Sequence, residues 1–167
     1  MEKIAEEFSL RALSRSAPIY SRKKLEWLNT LYLRNKEGGQ LAEALLPYLE
    51  KAGIHKDHFN HHYLIQISNV LKENLILLSQ IEEYLGIFFD EKFSFEEGAK
   101  TILLDSKNRE TLRIILSVLE VSPEITSDTW PSLVSQLEKK TGRKGKSLLT
   151  PLRVGATGKT KGPELAK

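Results

Sequence analysis

The sequence predicts an all-α protein of about eight to ten short helices. Apolar residues recur at the spacing of one helical face, for example in Leu25, Leu28, Tyr32 and Leu33. Residues that commonly start or stop helices flank these repeats. No stretch alternates apolar and polar residues strictly enough to predict a β-strand.

Capping residues predict where individual helices begin and end. Ser21 is expected to cap the first helix, because its hydroxyl can accept a hydrogen bond from a backbone N–H group of the first turn. Residues 38–39, both glycine, are expected to end that helix. Gly53 and Gly142 are expected to end two later helices, since glycine readily adopts the left-handed conformation there.

Other features mark helices in the rest of the chain. A longer apolar helical pattern runs from Tyr63 to Leu78. Ser94 and Glu97 have the spacing of a capping box, and Trp130-Pro131 places a proline where a helix can begin. The segment 89–94 is the best candidate for a linker. We therefore expect two helical subdomains with a boundary near residue 93.

Basic residues are concentrated at the two ends of the chain. Residues 11–36 hold seven lysines and arginines against one acidic residue, and residues 139–161 hold eight against none. Residues 37–138 carry eight basic and seventeen acidic residues, a net charge of −9. If the two ends fold onto one surface, they form a positive face suited to a polyanion. The alternative is that both are solvated faces of ordinary helices.

Composition excludes several classes of protein. There are no cysteines, which rules out disulfides and thiolate zinc sites and makes the cytoplasm the expected compartment. No apolar run reaches the roughly eighteen residues of a transmembrane helix. The first residues lack the basic and apolar segments of a signal peptide. The sequence offers no recognisable catalytic constellation and no catalytic residue.

Two motifs resemble ligand-binding sites, one for phosphate and one for a metal ion, but each also has a simpler structural interpretation. Residues 155–160 (Gly-Ala-Thr-Gly-Lys-Thr) resemble the end of a phosphate-binding P-loop, but Arg153 stands where that motif needs glycine. A loop whose backbone and lysines contact nucleic-acid phosphates is the better interpretation. All four histidines, at positions 55, 58, 61 and 62, lie close together. Some metal sites use such spacing, yet a solvent-facing helix start explains it more simply, so no metal is expected.

Two aromatic residues, Trp27 and Tyr32, lie among basic residues of the first helix. This mixture suits base stacking combined with phosphate contacts. Their helical spacing suits core packing equally well. We expect Trp27 to lie in the core, and both interpretations are kept for Tyr32. If the basic ends are only solvated faces, the chain is a helical protein-interaction module without RNA binding.

Residues 8–34 resemble a segment of bacterial-type glutamyl-tRNA synthetases. That family carries the pattern F-x-L-x-x-x-S-(R/K)-S, then an aromatic residue, then K-L-x-W-x-N-x-x-Y-(I/L)-(R/K). The matching residues are Phe8, Leu10, Ser14, Arg15, Ser16, Tyr20, Lys24, Leu25, Trp27, Asn29, Tyr32, Leu33 and Arg34.

Residues 142–165 resemble a second segment of the same family, which reads K-G-K, then P-L-R-x-A-L-T-G, then G-P. The matching residues are Lys144, Gly145, Lys146, Pro151, Leu152, Arg153, Thr157, Gly158, Gly162 and Pro163. Gly155 and Ala156 depart from the usual Ala-Leu. Each motif alone is moderately specific, and the two in order are strongly so.

The resemblance implies the C-terminal anticodon-binding region of such a synthetase, an α-helical cage that holds the tRNA anticodon arm. Residues 1–20 would end the stem-contact or linker region. Residues 21–93 and 94–167 would form two anticodon-binding subdomains, the second truncated at its C-terminus. The H-I-G-H-like and K-M-S-K-S-like motifs of the family's catalytic domain are absent. We therefore expect no catalysis and no cofactor in this fragment, since ATP and Mg²⁺ belong to the full-length glutamate–tRNA ligase.

The resemblance also points to residues that contact tRNA. In the family, polar residues of the long central helix and of the loop after P-L-R approach the anticodon, and the corresponding stretches here are 72–74 and 157–162. The expected contacts, including basic residues of both ends, are Arg15, Lys23, Lys72, Asn74, Lys144, Lys146, Arg153, Thr157, Lys159 and Lys161. The alternative for Asn74 is a plain exposed helix residue. The alternative for Arg153 is a buried or capping arginine that supports the loop.

The expected partner is tRNA-Glu, and tRNA-Gln remains open as a second partner, since the same P-L-R region occurs in family members that charge both. We expect a monomer that binds neither membranes nor DNA.

Overall fold

The computed structural model describes Ser9 and residues 19–55, 57, 59–122 and 124–166. This part of the chain forms eight α-helices and no β-strand, which confirms the predicted all-α fold. In chain order the helices are α1 (Arg22–Arg34), α2 (Gly38–Lys51), α3 (His61–Leu71), α4 (Leu85–Phe88), α5 (Glu97–Leu104), α6 (Ser106–Leu119), α7 (Trp130–Thr141) and α8 (Lys146–Thr157). The 3₁₀ helices Leu78–Tyr84 and Asp90–Lys92 flank α4. No helix of the described residues is long and apolar enough to cross a membrane.

The first hydrophobic core lies between α2, α3 and the segment from the end of α3 to α4. Its large fully buried side chains are Leu41, Leu45, Leu49, Ile54, Leu64, Ile67, Leu71, Leu75 and Ile81. Those on α2 and α3 recur every three or four residues, so each helix presents one apolar stripe to the other. Burial of each such side chain stabilises the fold by roughly 1.5–3 kcal/mol.

The second hydrophobic core joins three helices, and each contributes two buried side chains. These are Ile115 and Val118 of α6, Leu133 and Leu137 of α7, and Leu148 and Leu152 of α8. The two cores lie on either side of residue 93 in the sequence. The domain boundary placed at residue 93 remains a prediction, because two clusters of buried residues do not by themselves define where a domain ends.

Most of the predicted helix caps are present. The hydroxyl of Ser21 accepts a hydrogen bond from the backbone N of Lys24 at 3.3 Å, and Gly53 and Gly142 have positive φ after α2 and α7. The prediction that residues 38–39 end the first helix is wrong, because they begin α2. A Cβ at position 38 would lie 2.6 Å from the Oδ1 atom of Asn69. The glycine therefore lets the start of α2 approach α3 closely.

The helix α3 is shorter than the apolar pattern of its sequence. It ends at Leu71, whereas the pattern continues to Leu78. The chain turns at residues 72–77, yet Leu75 folds back into the first core and is fully buried. The side-chain oxygen of Gln80 accepts hydrogen bonds from the backbone N of residues 76 and 77, at 2.8 and 3.0 Å, which starts the next helical turn. A helical repeat of apolar residues thus spans a break in the helix.

The prediction that Trp27 lies in the core is wrong, since 60% of its side chain is exposed. Leu33 is the buried residue of α1, and it lies about 120° around the helix from Trp27 at 3.6 residues per turn. Two polar contacts also attach α1: the amide of Asn29 donates to the backbone O of Ile76, and Arg34 pairs with Glu73 at 3.1 Å. Helical spacing alone could not decide which side of α1 meets the protein, because both sides carry leucine.

Candidate nucleic-acid interface

Six of the ten predicted contact residues lie on α8 or in the segments that flank it. Lys144 precedes α8, Lys146 begins it, Arg153 and Thr157 lie within it, and Lys159 and Lys161 belong to the loop that follows. We call residues 158–162 the C-terminal loop. The residues that line a cavity of about 290 Å³ here are Trp130, Lys146, Leu149, Thr150, Arg153, Thr160, Glu164, Leu165 and Ala166.

Glu96 anchors the C-terminal loop to the start of α5. Its Oε1 atom accepts a hydrogen bond from the backbone N of Thr160 at 2.6 Å and another from the Thr160 hydroxyl. Its own backbone N donates to the carbonyl oxygen of Gly158 at 3.0 Å. These contacts hold Lys159 and Lys161 on either side of a fixed residue.

The pKa of Glu96 is lowered from its ordinary value, first by the hydrogen bonds from Thr160 and then by the charges of Lys159 and Lys161. The sequence did not reveal this role. It predicted a capping box of Ser94 and Glu97, but α5 begins only at Glu97 with Glu96 as its N-cap residue, and no side chain caps that end. The capping-box prediction is therefore wrong.

Replacing Glu96 with glutamine should lower the free energy of unfolding by about 0.5–1 kcal/mol at pH 7, because charge-assisted hydrogen bonds become neutral ones at a site where solvent screens the charge. The folded-state pKa is depressed, so this stabilisation is present above the unfolded-state pKa of about 4.3 and is lost as the pH falls through the folded-state value. Urea unfolding of both proteins between pH 7 and pH 3 should therefore show a difference that shrinks below about pH 4.3.

Glu97→Gln is the matched control for this prediction. Its carboxylate is highly exposed and meets only Lys100, at 3.2 Å, one turn further along α5. An exposed pair of this kind contributes about 0–1 kcal/mol. An equal loss of stability in both variants, or a difference that does not change with pH, would show that Glu96 does not hold the loop.

Thr157 and Arg153 support the C-terminal loop from inside. Thr157 is buried, and its hydroxyl donates to the carbonyl oxygen of Arg153 at 2.8 Å and accepts from the backbone N of Lys159 at 3.2 Å. Arg153 donates from Nη1 to the carbonyl oxygen of Pro163 at 2.7 Å. Through this contact Arg153 supports the segment that follows the C-terminal loop, which agrees with the alternative interpretation of this residue as a structural arginine. RNA contacts of both residues stay predictions.

Gly158 fixes the place where the C-terminal loop begins. It ends α8 with a φ of 69°, and its backbone N donates to the carbonyl oxygen of Val154 at 3.0 Å. A Cβ at this position would lie 2.4 Å from the backbone oxygen of Ser94. Glycine is required here both for the left-handed backbone and for the close approach to the segment before α5.

Arg143 anchors the basic turn between α7 and α8, a role that the sequence did not reveal. Its Nη1 atom donates to the Oγ1 atom of Thr111 at 2.7 Å and to the Oδ1 atom of Asn108 at 2.9 Å, both on α6. This anchor sets the positions of Lys144 and Lys146, which are exposed. Arg143 lies in a run of basic residues, so nothing in the pattern distinguishes it from its exposed neighbours.

Three other predicted contact residues lie on the helices and turn around the first core. Lys23 is exposed on α1, Lys72 caps the end of α3, and Asn74 is exposed in the turn that follows rather than on a long helix. The ion pair between Arg34 and Glu73 joins the end of α1 to this same turn. Arg15 lies outside the described residues.

The histidine cluster and the segment that resembles a P-loop form neither a metal site nor a P-loop in the described part of the chain. His61 and His62 are exposed in the first turn of α3. No group of three His, Asp or Glu side chains among the described residues is placed to hold a metal ion. Residues 155–157 are the last residues of α8, so they do not connect a strand to a helix as a P-loop does.

A sequence model described as "Anticodon binding domain" matches residues 40–167. The chain belongs to the anticodon-binding domain family. It is 33% identical over 99% of its length to the glutamate–tRNA ligase of Carboxydothermus hydrogenoformans, and 31% identical over 98% to that of Bacillus subtilis. The chain spans about a third of each relative, 35% in both cases.

Solved structures show the same fold as this anticodon-binding domain. A crystal structure of a glutamate tRNA ligase from Elizabethkingia meningosepticum, in complex with its amino acid, superposes over 99% of the chain with a TM-score of 0.75. The sequence identity is 18%, and the chain covers 32% of that protein. Glutamate-tRNA synthetase from Elizabethkingia anophelis gives a TM-score of 0.70 at 20% identity.

The structure also accounts for one departure from the family pattern. Where the glutamyl-tRNA synthetases carry alanine, this anticodon-binding domain has Gly155, on the side of α8 that meets α6. A Cβ at position 155 would lie 2.8 Å from the Cδ2 atom of Leu112. The leucine side chain therefore occupies the space that an alanine methyl group would need.

Proposed function

We propose that this chain binds the anticodon arm of tRNA and serves as the anticodon-binding domain of a glutamate–tRNA ligase. The observation that carries the proposal is the match of residues 40–167 to the anticodon-binding domain family. The relatives over the whole chain are named as glutamate–tRNA ligases, so tRNA-Glu is the proposed RNA and tRNA-Gln the second candidate substrate of the parent protein. The cytoplasm is the proposed compartment, and a monomer the proposed state.

The basic residues on the segments that flank α8 supply the electrostatic part of tRNA binding. Lys144, Lys146, Lys159 and Lys161 come from two segments, and each segment is fixed by internal hydrogen bonds. Lysines held in place can neutralise phosphates without a large loss of side-chain and loop freedom on binding. Such phosphate contacts set the register of the RNA but do not read its sequence.

The cavity that Lys146 lines offers contacts for an RNA base. Trp130 lines it together with Lys146 and Arg153, and the other polar residues of its lining are Thr150, Thr160 and Glu164. Single-stranded RNA bases are commonly recognised by stacking on an aromatic ring and by hydrogen bonds to their edges, while cations hold the flanking phosphates. An unstacked anticodon base is therefore the proposed occupant.

We expect no cofactor to bind this chain, because tRNA recognition of this kind uses only side chains and backbone groups. ATP, Mg²⁺ and glutamate are proposed ligands of the parent ligase, outside the part of its sequence that this chain represents.

The test is binding of the chain to three transcripts over a salt series: tRNA-Glu, tRNA-Gln and a tRNA-Glu with a substituted anticodon. The tRNA-Glu transcript should bind about tenfold more tightly than its substituted form, because one or more base contacts worth about 1–3 kcal/mol are lost. The two RNAs carry the same number of phosphates, so the general electrostatic attraction cancels in the comparison. The affinity for tRNA-Gln then shows which tRNAs the domain accepts.

Two results would contradict the proposal. Equal, weak binding of all three RNAs that disappears with salt would show a basic surface without anticodon recognition. No binding even at low salt would favour the helical protein-interaction module, which the comparisons do not support.

A further inference from the structure

The segment just before α5 carries two exposed aromatic rings in contact with each other. The ring centroids of Phe93 and Phe95 lie 5.1 Å apart and the ring planes meet at 83°, which is an edge-to-face contact. The backbone is extended at Phe93, so the side chains of residues 93 and 95 lie on the same side of the chain. Each of the two residues is 39% exposed. We call them the ring pair.

The ring pair belongs to neither hydrophobic core. Among the other phenylalanines that the structure describes, Phe89 is buried in the first core, and Phe59 and Phe88 pack against it. The rings of Phe93 and Phe95 contribute to neither cluster. Single exposed apolar residues are common, but two rings in contact at the surface form a patch, which indicates a binding surface.

The C-terminal loop begins against the ring pair. A Cβ at position 158 would lie 3.4 Å from the Cε2 atom of Phe93. The backbone N of Glu96, the residue after Phe95, donates to the carbonyl oxygen of Gly158 at 3.0 Å. The ring pair and the start of the loop are therefore fixed relative to each other.

The same loop brings two positive charges to the ring pair. Lys159 and Lys161 flank Thr160, whose backbone N and hydroxyl donate to Glu96. The pKa of Glu96 is lowered first by these hydrogen bonds and then by the charges of the two lysines, so both ammonium groups lie near the residue that follows Phe95. Cations beside exposed aromatic rings are typical of surfaces that bind single-stranded nucleic acid.

An RNA base suits this surface better than an apolar protein segment does. An apolar partner would cover the lysines without offering them a negative charge, and the loss of their hydration would weaken binding. A nucleotide carries a planar base for the rings and a phosphate for the lysines. An edge-to-face contact covers a face of only one ring, so the pair can still receive a planar partner.

The ring pair is distinct from the cavity that Trp130 lines. The C-terminal loop touches both, since Thr160 lines the cavity and Gly158 lies against Phe93. These two loop residues are separated by at most about 7 Å of backbone. Neighbouring unstacked nucleotides of one RNA loop can therefore reach both places.

We propose that an unstacked base of the tRNA anticodon loop stacks on the ring pair, while Lys159 and Lys161 hold the phosphates beside it. This base is not the one that enters the cavity. Every base has a face that can stack, so the ring pair adds affinity and positions the RNA loop whichever base it receives. The inference rests on the proposed function, because it takes the RNA from it.

Phe93→Leu with Phe95→Leu removes both rings and keeps apolar side chains. Binding of the tRNA-Glu transcript should weaken about tenfold, because stacking of a base on an aromatic ring is lost. The slope of log K against log salt should stay the same, since no charge changes. Phe93→Tyr with Phe95→Tyr keeps both rings and should bind as tightly as the unchanged chain. Fluorescence anisotropy of labelled tRNA measures all of these affinities.

A second measurement separates stacking from an indirect effect on the fold. Synthetic tRNA-Glu molecules with one abasic nucleotide at successive positions of the anticodon loop keep every phosphate. At one position the missing base should weaken binding to the unchanged chain about tenfold, and to the leucine variant much less, because the same contact cannot be lost twice. If the double leucine variant does not fold, Phe95→Leu alone gives the same comparison.

Leu104→Ala with Leu116→Ala is the matched control. It reduces exposed apolar surface on α5 and α6 without removing a ring. The affinity for tRNA-Glu should not change. A loss as large as that of the leucine variant would overturn the inference, because exposed apolar surface in general would then account for the effect.

Four further results would overturn the inference. They are a leucine variant that binds tRNA-Glu as tightly as the unchanged chain, a tyrosine variant that binds as weakly as the leucine variant, and additive losses at every abasic position. The fourth is a dimer of the chain that the leucine changes dissociate without changing tRNA affinity. In each case the unchanged chain can still prefer tRNA-Glu to its anticodon-substituted form, and the proposed function then stands. If the unchanged chain binds no tRNA even at low salt, the proposed function and this inference fail together.

Discussion

Gly158→Ala should lower the melting temperature of the protein by about 6–12 °C, which corresponds to a loss of about 3 kcal/mol in the free energy of unfolding. Two costs combine in this variant. The residue has a φ of 69°, which costs an L-amino acid about 1 kcal/mol relative to glycine. The new methyl group would also lie 2.4 Å from the backbone oxygen of Ser94, so the C-terminal loop or the segment before α5 must shift. Thermal unfolding followed by circular dichroism measures the effect.

Gly142→Ala separates the two costs. Gly142 also ends a helix with a positive φ, of 66°, but a Cβ there would meet no atom within 4 Å. Its loss should therefore be only about 1 kcal/mol, or roughly 3 °C. Equal shifts of the melting temperature in the two variants would show that the close approach at Ser94 is not present in solution.

Replacing Lys159 and Lys161 together with alanine should weaken binding to the tRNA-Glu transcript by about a hundredfold at 50 mM salt. Each lysine that neutralises a phosphate releases counterions, so the slope of log K against log salt should become shallower by about 1–2 units. The loop itself should stay in place, because Glu96 holds it through Thr160 and not through either lysine. Fluorescence anisotropy of labelled tRNA at four or more salt concentrations measures both quantities.

Lys51→Ala with Lys92→Ala removes the same charge from exposed positions elsewhere on the chain. This pair tests whether the effect depends on position or on net charge alone. The slope should change by much less than in the loop variant. An equal change in both variants would mean that the RNA feels the total charge of the protein, and an unchanged slope in the loop variant would remove Lys159 and Lys161 from the contact surface.

The sequence allowed the fold class and most helix ends to be predicted, because these depend on local patterns. Ser21, Gly53 and Gly142 act through their own backbone conformation or a hydrogen bond within one turn, so they can be read without knowing the fold. The glycines at 38–39 look identical in the sequence. The role of Gly38 at the start of α2 depends on Asn69, a neighbour that only the folded chain provides.

The candidate site was predictable as a region but not as a set of interactions. The runs of basic residues pointed to the segments around Lys144 and Lys159, whose contacts with RNA stay predictions. They did not distinguish Arg143, which is bound by α6, from the exposed lysines beside it. Glu96 was missed because its partner Thr160 is 64 residues away in the sequence. Trp27 was misplaced because a stripe of apolar residues does not reveal which surface covers it.

The close approach of Gly155 to Leu112 makes substitutions at these two positions, which are far apart in the sequence, depend on each other. An ancestor with alanine at 155 would have needed a smaller or differently oriented side chain at 112, and a return to alanine now would first require that leucine to move. An alanine transplanted singly from a relative into position 155 is then tolerated only if the Leu112 side chain changes its rotamer. Exchanges between this chain and the glutamate–tRNA ligases that it resembles should therefore transfer α6 and α8 together.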